Sequence, residues 1–339
     1  MNDSHIFRYF KQKDNNLFSK LDSIDRKDLI KLLNDYLIKY RKILDFSKDI
    51  TFGFEIEVEN DHDKLSNIKV DKFFAKDGWY YEGDSSLEFG TEVISPILID
   101  NEKSWKDLKR VCSSISKTSS IDKHAGGHIH VGVQTLGSNY NSWMNFIRLW
   151  ATYENIIFRF TNGEYLNSRP CIKDYAQPVS SEMWNASIEA DSKDHYLSNI
   201  LDLLYYMDEP AVCFDYVKSD FCDKKLYKNN IEFRCPNGTL DPTVWQNNTN
   251  LFINMLLYSK STKFDEDIVN KRHMILENDY CKLLKYNQIY LDQVFEFVDM
   301  IFNNNIDKIN FLRQYLKNME IAPNNNDYYK AKKFTYTKY

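Results

Sequence analysis

Between Thr51 and Asn60 the chain reads TFGFEIEVEN, and this stretch restricts the fold more than any other. Phe52, Phe54, Ile56 and Val58 alternate with Glu55, Glu57 and Glu59. That period of two belongs to a β-strand, whose side chains point alternately to opposite faces. One face must enter a core while the other carries parallel carboxylates. Carboxylates at that spacing repel one another and disfavour sheet pairing. A bound cation offsets the repulsion; a solvated face of an antiparallel sheet is the other reading.

Three further segments repeat the design. Thr91–Ile97 reads as a strand ended by Pro96; Gly83-Asp84 marks a turn before it, and Glu88 and Glu92 are candidates for the acidic face. Lys123–Val133 is entered through Gly126-Gly127, which permit close backbone approach, and sets His128 and His130 opposite Ile129, Val131 and Val133. Lys228–Gly238 sets Glu232 and Arg234 opposite Ile231, Phe233 and Cys235. If the four pair in one antiparallel sheet, their polar faces converge.

Helical spacing predicts helices over Asp25–Phe46, Ser104–Lys117, Asn141–Thr161, Asp194–Asp208 and Val244–Ser259, the last opened by the cap Asp241-Pro242-Thr243. Leu291–Asn303 and Ile306–Met319 read as helices, and Asp215–Phe221 as a strand. The expected organisation is an N-terminal helical segment (1–49), a domain holding the four strands (50–262), a helical region packed on it (263–321) and a flexible tail (322–339).

With 339 residues, 43% of them hydrophobic, the chain can bury a large core. A net charge of -5 supplies no basic field for nucleic acid or anionic membrane. No stretch approaches the roughly 20 apolar residues of a membrane span. The six cysteines show no CxxC spacing, and the first residues lack the apolar run of a signal peptide, so a cytoplasmic protein with reduced thiols is expected.

Carboxylates with one or two imidazoles suit Mg²⁺ or Mn²⁺ and could accept Zn²⁺. Arginines alongside suggest an anionic ligand such as phosphate. Metal, arginine and carboxylate together are equipment for phosphoryl transfer from a nucleotide, although no Walker A motif or protein-kinase motif set is present. A metal-dependent hydrolase uses similar groups to activate water, and a non-catalytic binding module could keep the same fold.

These residues resemble the carboxylate–amine ligases of the glutamine synthetase and glutamate–cysteine ligase superfamily, and within it the amidoligase branch. The matching pieces are Phe52-Gly53-Phe54-Glu55-Ile56-Glu57, Gly83-Asp84-Ser85-Ser86 with Glu92-Val93-Ile94-Ser95-Pro96, Gly127-His128-Ile129-His130-Val131-Gly132 and Ile231-Glu232-Phe233-Arg234-Cys235-Pro236. They stand in the family's order; Asn237 replaces the aspartate usual in the synthetase pattern. The resemblance implies an α+β fold, a curved antiparallel β-sheet with helices on its outer face like the glutamine synthetase catalytic domain. It implies ATP, Mg²⁺ or Mn²⁺, and small-molecule or peptide carboxylate and amine substrates joined through an acyl phosphate. By similarity Glu57 and Glu92 hold the metal nearer the acceptor carboxylate. Glu55, His128 and Glu232 hold the metal on the ATP phosphates. His130 contacts phosphate and Arg234 stabilises the transferring phosphoryl group, while Arg159 and Arg169 stand where the family places phosphate- or carboxylate-binding arginines. The oligomeric state is not indicated.

Overall fold

The computed structural model describes residues 40–60, 77–83, 87, 90–117, 119–121, 125–162, 175–191, 196–204, 207, 209–217, 229–279 and 290–317. The architecture is α+β: one open antiparallel sheet flanked by helices. The strands are β1 (Thr51–Asn60), β2 (Tyr80–Gly83), β3 (Gly90–Ile94), β4 (Leu98–Ile99), β5 (Ser119–Ser120), β6 (Gly127–Gly132), β7 (Val212–Cys213) and β8 (Asn230–Phe233). Their spatial order is β2-β3-β1-β6-β8-β7, with β4 and β5 also pairing β1. The Glu-rich strand is therefore central, bonded to β3 on one side and β6 on the other.

Eight helices are seen among the described residues: α1 (Glu102–Ile115), α2 (Tyr140–Asn162), α3 (Ser180–Asp191), α4 (Leu197–Leu204), α5 (Pro242–Ser259), α6 (Glu266–Asp279), α7 (Leu291–Ile301) and α8 (Asn305–Lys317). Three of them cover the apolar face of the sheet. Trp105 of α1 stacks on Phe52 at 5.1 Å between ring centroids, Trp245 of α5 meets Phe54 edge-on at 5.4 Å, and Phe252 of α5 stacks on Phe233 at 4.0 Å. Trp150 of α2 lies 5.8 Å from Phe233. The alternation in β1 is thus realised: Phe52, Phe54, Ile56 and Val58 are all buried. Gly127 shows why the paired glycines matter, since a Cβ there would collide with the Trp245 ring. Asp241 caps α5 by accepting the Thr243 N–H at 2.8 Å. Among the described residues no helix is long and apolar enough to cross a membrane.

Several elements differ from the sequence reading. Residues 40–46 are not helical, although their apolar spacing fits a helix; residues 25–39 lie outside the described part. Side chains take over the backbone groups that a helix would use. Asp100 accepts the N–H of Leu44 (2.9 Å) and of Phe46 (2.8 Å), and Gln246 bonds both the N–H and the carbonyl of Arg41. Asp45 has φ of 71°, which a right-handed helix does not accommodate. Residues 215–217 form a turn rather than a strand, and 218–221 lie outside the described residues, as does the tail from 322. The third difference is α3, which lies beyond every helix read from the sequence. Its first turn is capped from a distance: Glu154 of α2 accepts the N–H of Val179 (2.7 Å) and of Ser180 (3.1 Å).

Asp100 is buried and also accepts the Trp105 indole N–H at 2.6 Å. Removing it strands two buried donors and one half-buried one. Asp100→Ala should cost about 3 kcal/mol in urea unfolding, and Asp100→Asn distinctly less. A loss near zero for the alanine variant would show that Asp100 does not hold the 40–46 segment in place.

Candidate active site

Sheet register brings together residues far apart in sequence. Glu55 is the Cα partner of His128, Glu57 of Glu92, and His130 of Glu232. All six point away from the tryptophan-covered face, as alternation requires. The His128 ring sits among four carboxylates. Its Nδ1 lies 2.9 Å from Glu55 Oε2, 3.1 Å from Glu232 Oε1 and 4.0 Å from Glu92 Oε1, and its Nε2 lies 3.1 Å from Glu57 Oε1. His130 places Nε2 3.0 Å from Glu55 Oε1 and Nδ1 2.9 Å from Asn230 Oδ1. Glu57 also accepts the N–H of Gly126.

The charge balance is uneven. Burial opposes ionisation of Glu55, but bonds from His128 and His130 outweigh it and hold this carboxyl well below the usual range. Burial is the largest single influence on Glu232 and opposes its ionisation, but the His128 bond together with the charges of His128, His130 and Arg234 outweighs it and holds the carboxyl down to about 2. Burial, and then the charge on Glu55, push Glu92 up to about 8. Burial disfavours the imidazolium forms, yet the surrounding carboxylates raise both His128 and His130. Glu82, Glu92 and Glu57 stand directly opposite one another across β2, β3 and β1, a row of carboxyls in which the Glu57 charge adds to the upward shift of Glu92.

This donor set fits divalent cations. Ligand atoms of Glu55, Glu92 and His128 lie within 4.8 Å of one another, and so do those of Glu55, His130 and Glu232. Both groups are carboxylate-rich with a single imidazole, which suits Mg²⁺ or Mn²⁺. Glu55 belongs to both groups. His130, which the sequence reading reserves for phosphate, joins one of them.

Arg234 follows β8 and lies at the rim. Its Nη1 donates to Glu232 Oε1 at 3.1 Å, its Nη2 to Glu209 Oε2 at 2.7 Å, and its Nε to the Tyr175 carbonyl at 3.2 Å. A cleft of about 640 Å³ opens beside the cluster. Its walls include Glu55, Glu82, His130, Tyr80, Tyr216 and Asn230. Tyr80 and Tyr216 approach from opposite edges of the sheet.

Arg159 is not brought to this face. It is buried on α2, its guanidinium 5.6 Å from the ring centre of Tyr315 on α8. Arg169 and Glu88 lie outside the described residues. Sequence reasoning missed Glu82, Tyr80 and Glu209. The first two lie on β2 (Tyr80–Gly83), a short strand exposed at every position, so it writes no buried face into the sequence. Glu209 has no local signature.

The shifts set a pH dependence in cation-free buffer. Glu92 is raised from an ordinary value of 4.5 to about 8, so its contribution to stability is complete below 4.5 and is lost as pH rises through about 8. Raised His128 and His130 act in the same direction. Glu55 and Glu232 are lowered, so their contribution is lost only in acid. The melting temperature without divalent ions should fall between about pH 5 and pH 9, Mg²⁺ should restore it increasingly as pH rises, and Glu92→Gln should flatten the slope. A melting temperature that rises over this interval in the cation-free wild type would contradict the charge balance described.

Residues 53–256, more than half of the chain, match a family described as "Putative amidoligase enzyme". No curated protein and no solved structure matches the chain.

Proposed function

The chain belongs to the amidoligase family, and from that premise we propose an ATP- and Mg²⁺-dependent carboxylate–amine ligase that forms an amide or isopeptide bond through an acyl phosphate. The observation that carries the reading is the convergence of Glu55, Glu57, Glu92, Glu232, His128 and His130 on one sheet face, with Arg234 at its rim.

Glu55, Glu92 and His128 would hold one cation, and Glu55, His130 and Glu232 a second. Such ions neutralise phosphate charge and draw electron density from the transferred phosphoryl group. The cleft is lined by Tyr80, Tyr216, Gln134, Asn229 and Asn230, aromatic and amide side chains of the kind that suit a nucleoside whose phosphates point towards Glu55 and His130. A carboxylate oxygen of the acid substrate would attack the γ-phosphorus while the bond to the ADP oxygen breaks. Arg234 offers its guanidinium to the charge on the transferring oxygens. The amine nitrogen would then attack the acyl carbon, phosphate leaving with the C–O electron pair as the amine loses a proton.

The test is to incubate the protein with ATP, Mg²⁺ and a mixed pool of acids, peptides and amines, and to follow ADP and phosphate. Release that needs both a carboxylate and an amine is expected. Release that needs neither, or product formation without nucleotide, would overturn the ligase reading in favour of a hydrolase. Arg234→Ala should lower kcat by about 10²-fold while changing the KM for ATP far less. Equal losses in both would remove Arg234 from transition-state stabilisation.

A further inference from the structure

Arg234 has a partner that no motif announces. Glu232 and Glu209 both bond its guanidinium, but they differ in freedom. The Glu232 side chain is only 4% exposed, whereas that of Glu209 is 45% exposed. The backbone at Glu209 is firmly fixed: its carbonyl accepts the Gln177 N–H at 2.8 Å, and Pro210, which follows, bridges to Gln177. Ala211 in turn accepts the Arg234 N–H at 2.9 Å. Glu209 also has φ of 41°, a left-handed conformation that non-glycine residues rarely adopt. A rare backbone conformation persists where the surroundings impose it, and here it accompanies a carboxylate placed on the exposed edge of a rim arginine. The result is a pinned backbone carrying a solvent-exposed carboxylate. Nε and Nη1 of Arg234 donate to the Tyr175 carbonyl and to buried Glu232, so the exposed Glu209 carboxylate at Nη2 is the partner an incoming anion displaces at least cost.

We propose that Glu209 is the displaceable counter-ion of Arg234, holding the guanidinium in the free protein and ceding its Nη2 edge to a phosphoryl group when one binds. This rests on the role given to Arg234 above and makes Glu209 a positioning residue. An exposed ion pair is weak and breaks at small cost, so the competition it imposes is modest. Neutralising Glu209 should therefore tighten anion binding, the opposite of what loss of a purely structural residue would do.

The experiment is calorimetric titration of the full chain with inorganic phosphate and, separately, with a non-hydrolysable ATP analogue plus Mg²⁺. Glu209→Gln should bind about two- to five-fold more tightly than wild type, and the gain should vanish in an Arg234→Gln background. Tightening for the analogue alone assigns the displacing group to the nucleotide; tightening for both adds free phosphate. Glu209→Gly, which removes the carboxylate and tolerates the backbone conformation, should reproduce the gain. Unchanged or weaker binding by both Glu209 variants, or a gain that survives without Arg234, would overturn the proposal. Turnover of the wild type is read in a separate assay, so failed displacement beside intact turnover removes only the counter-ion role. Displacement without turnover would instead count against the ligase reading.

Discussion

Glu55→Gln should lose turnover by about 10⁴-fold or more while remaining folded. Glutamine keeps the size of the side chain and removes its charge. Glu55 belongs to both groups of ligand atoms, so on the proposed function one substitution weakens both cation positions. A single lost electrostatic partner in a polar site typically costs 10²–10³-fold, and two affected positions compound that loss to about 10⁴. The same carboxylate lies against the His128 and His130 rings, whose raised proton affinity should fall in the variant. Two measurements check this: single-turnover product formation, and the rise in melting temperature on adding Mg²⁺, which should largely disappear. A variant that kept most of its turnover would remove Glu55 from the cation-holding role.

Ile56→Asp should prevent folding altogether. Ile56 is fully buried, paired between Val93 of β3 and Gly127 of β6 beneath the tryptophan layer. A carboxylate there has no partner and no water, and its cost exceeds about 4 kcal/mol, a large part of the stability of most domains. Expression should give insoluble protein, against a soluble wild type handled in parallel. Soluble Ile56→Asp with a native circular dichroism spectrum would mean that the two faces of β1 are assigned the wrong way round. The pair tests one idea, since neighbouring residues of a single strand are expected to fail for unrelated reasons.

Alternation made β1, β6 and β8 legible, because a strand buried on one face writes its faces directly into the sequence. Register was not legible. That Glu57 faces Glu92 and Glu82, and that His128 lies among four carboxylates, depends on which strands are neighbours and where they slide to rest. The misread stretch at 40–46 has apolar residues at helical spacing. Its conformation is decided instead by Asp100 and Gln246, side chains more than fifty residues away. α3 was invisible for a related reason: its cap is Glu154, on another helix. Arg159 shows the limit of carrying a role by position. Its place on α2 turns it into the helical core under Tyr315, away from the acidic face.

The two-faced central strand has a consequence for how this protein can vary. In most half-exposed strands every second position tolerates almost any residue, and substitution data show a period of two. Along the middle of β1 neither face should be permissive: Phe54 and Ile56 are held by packing, Glu55 and Glu57 by the polar cluster. A saturation library read by cellular abundance should be intolerant at the even positions, and the same library read by product formation should be intolerant at both. The period would then lie in the difference between the two read-outs, which would separate the residues that build the enzyme from those that operate it.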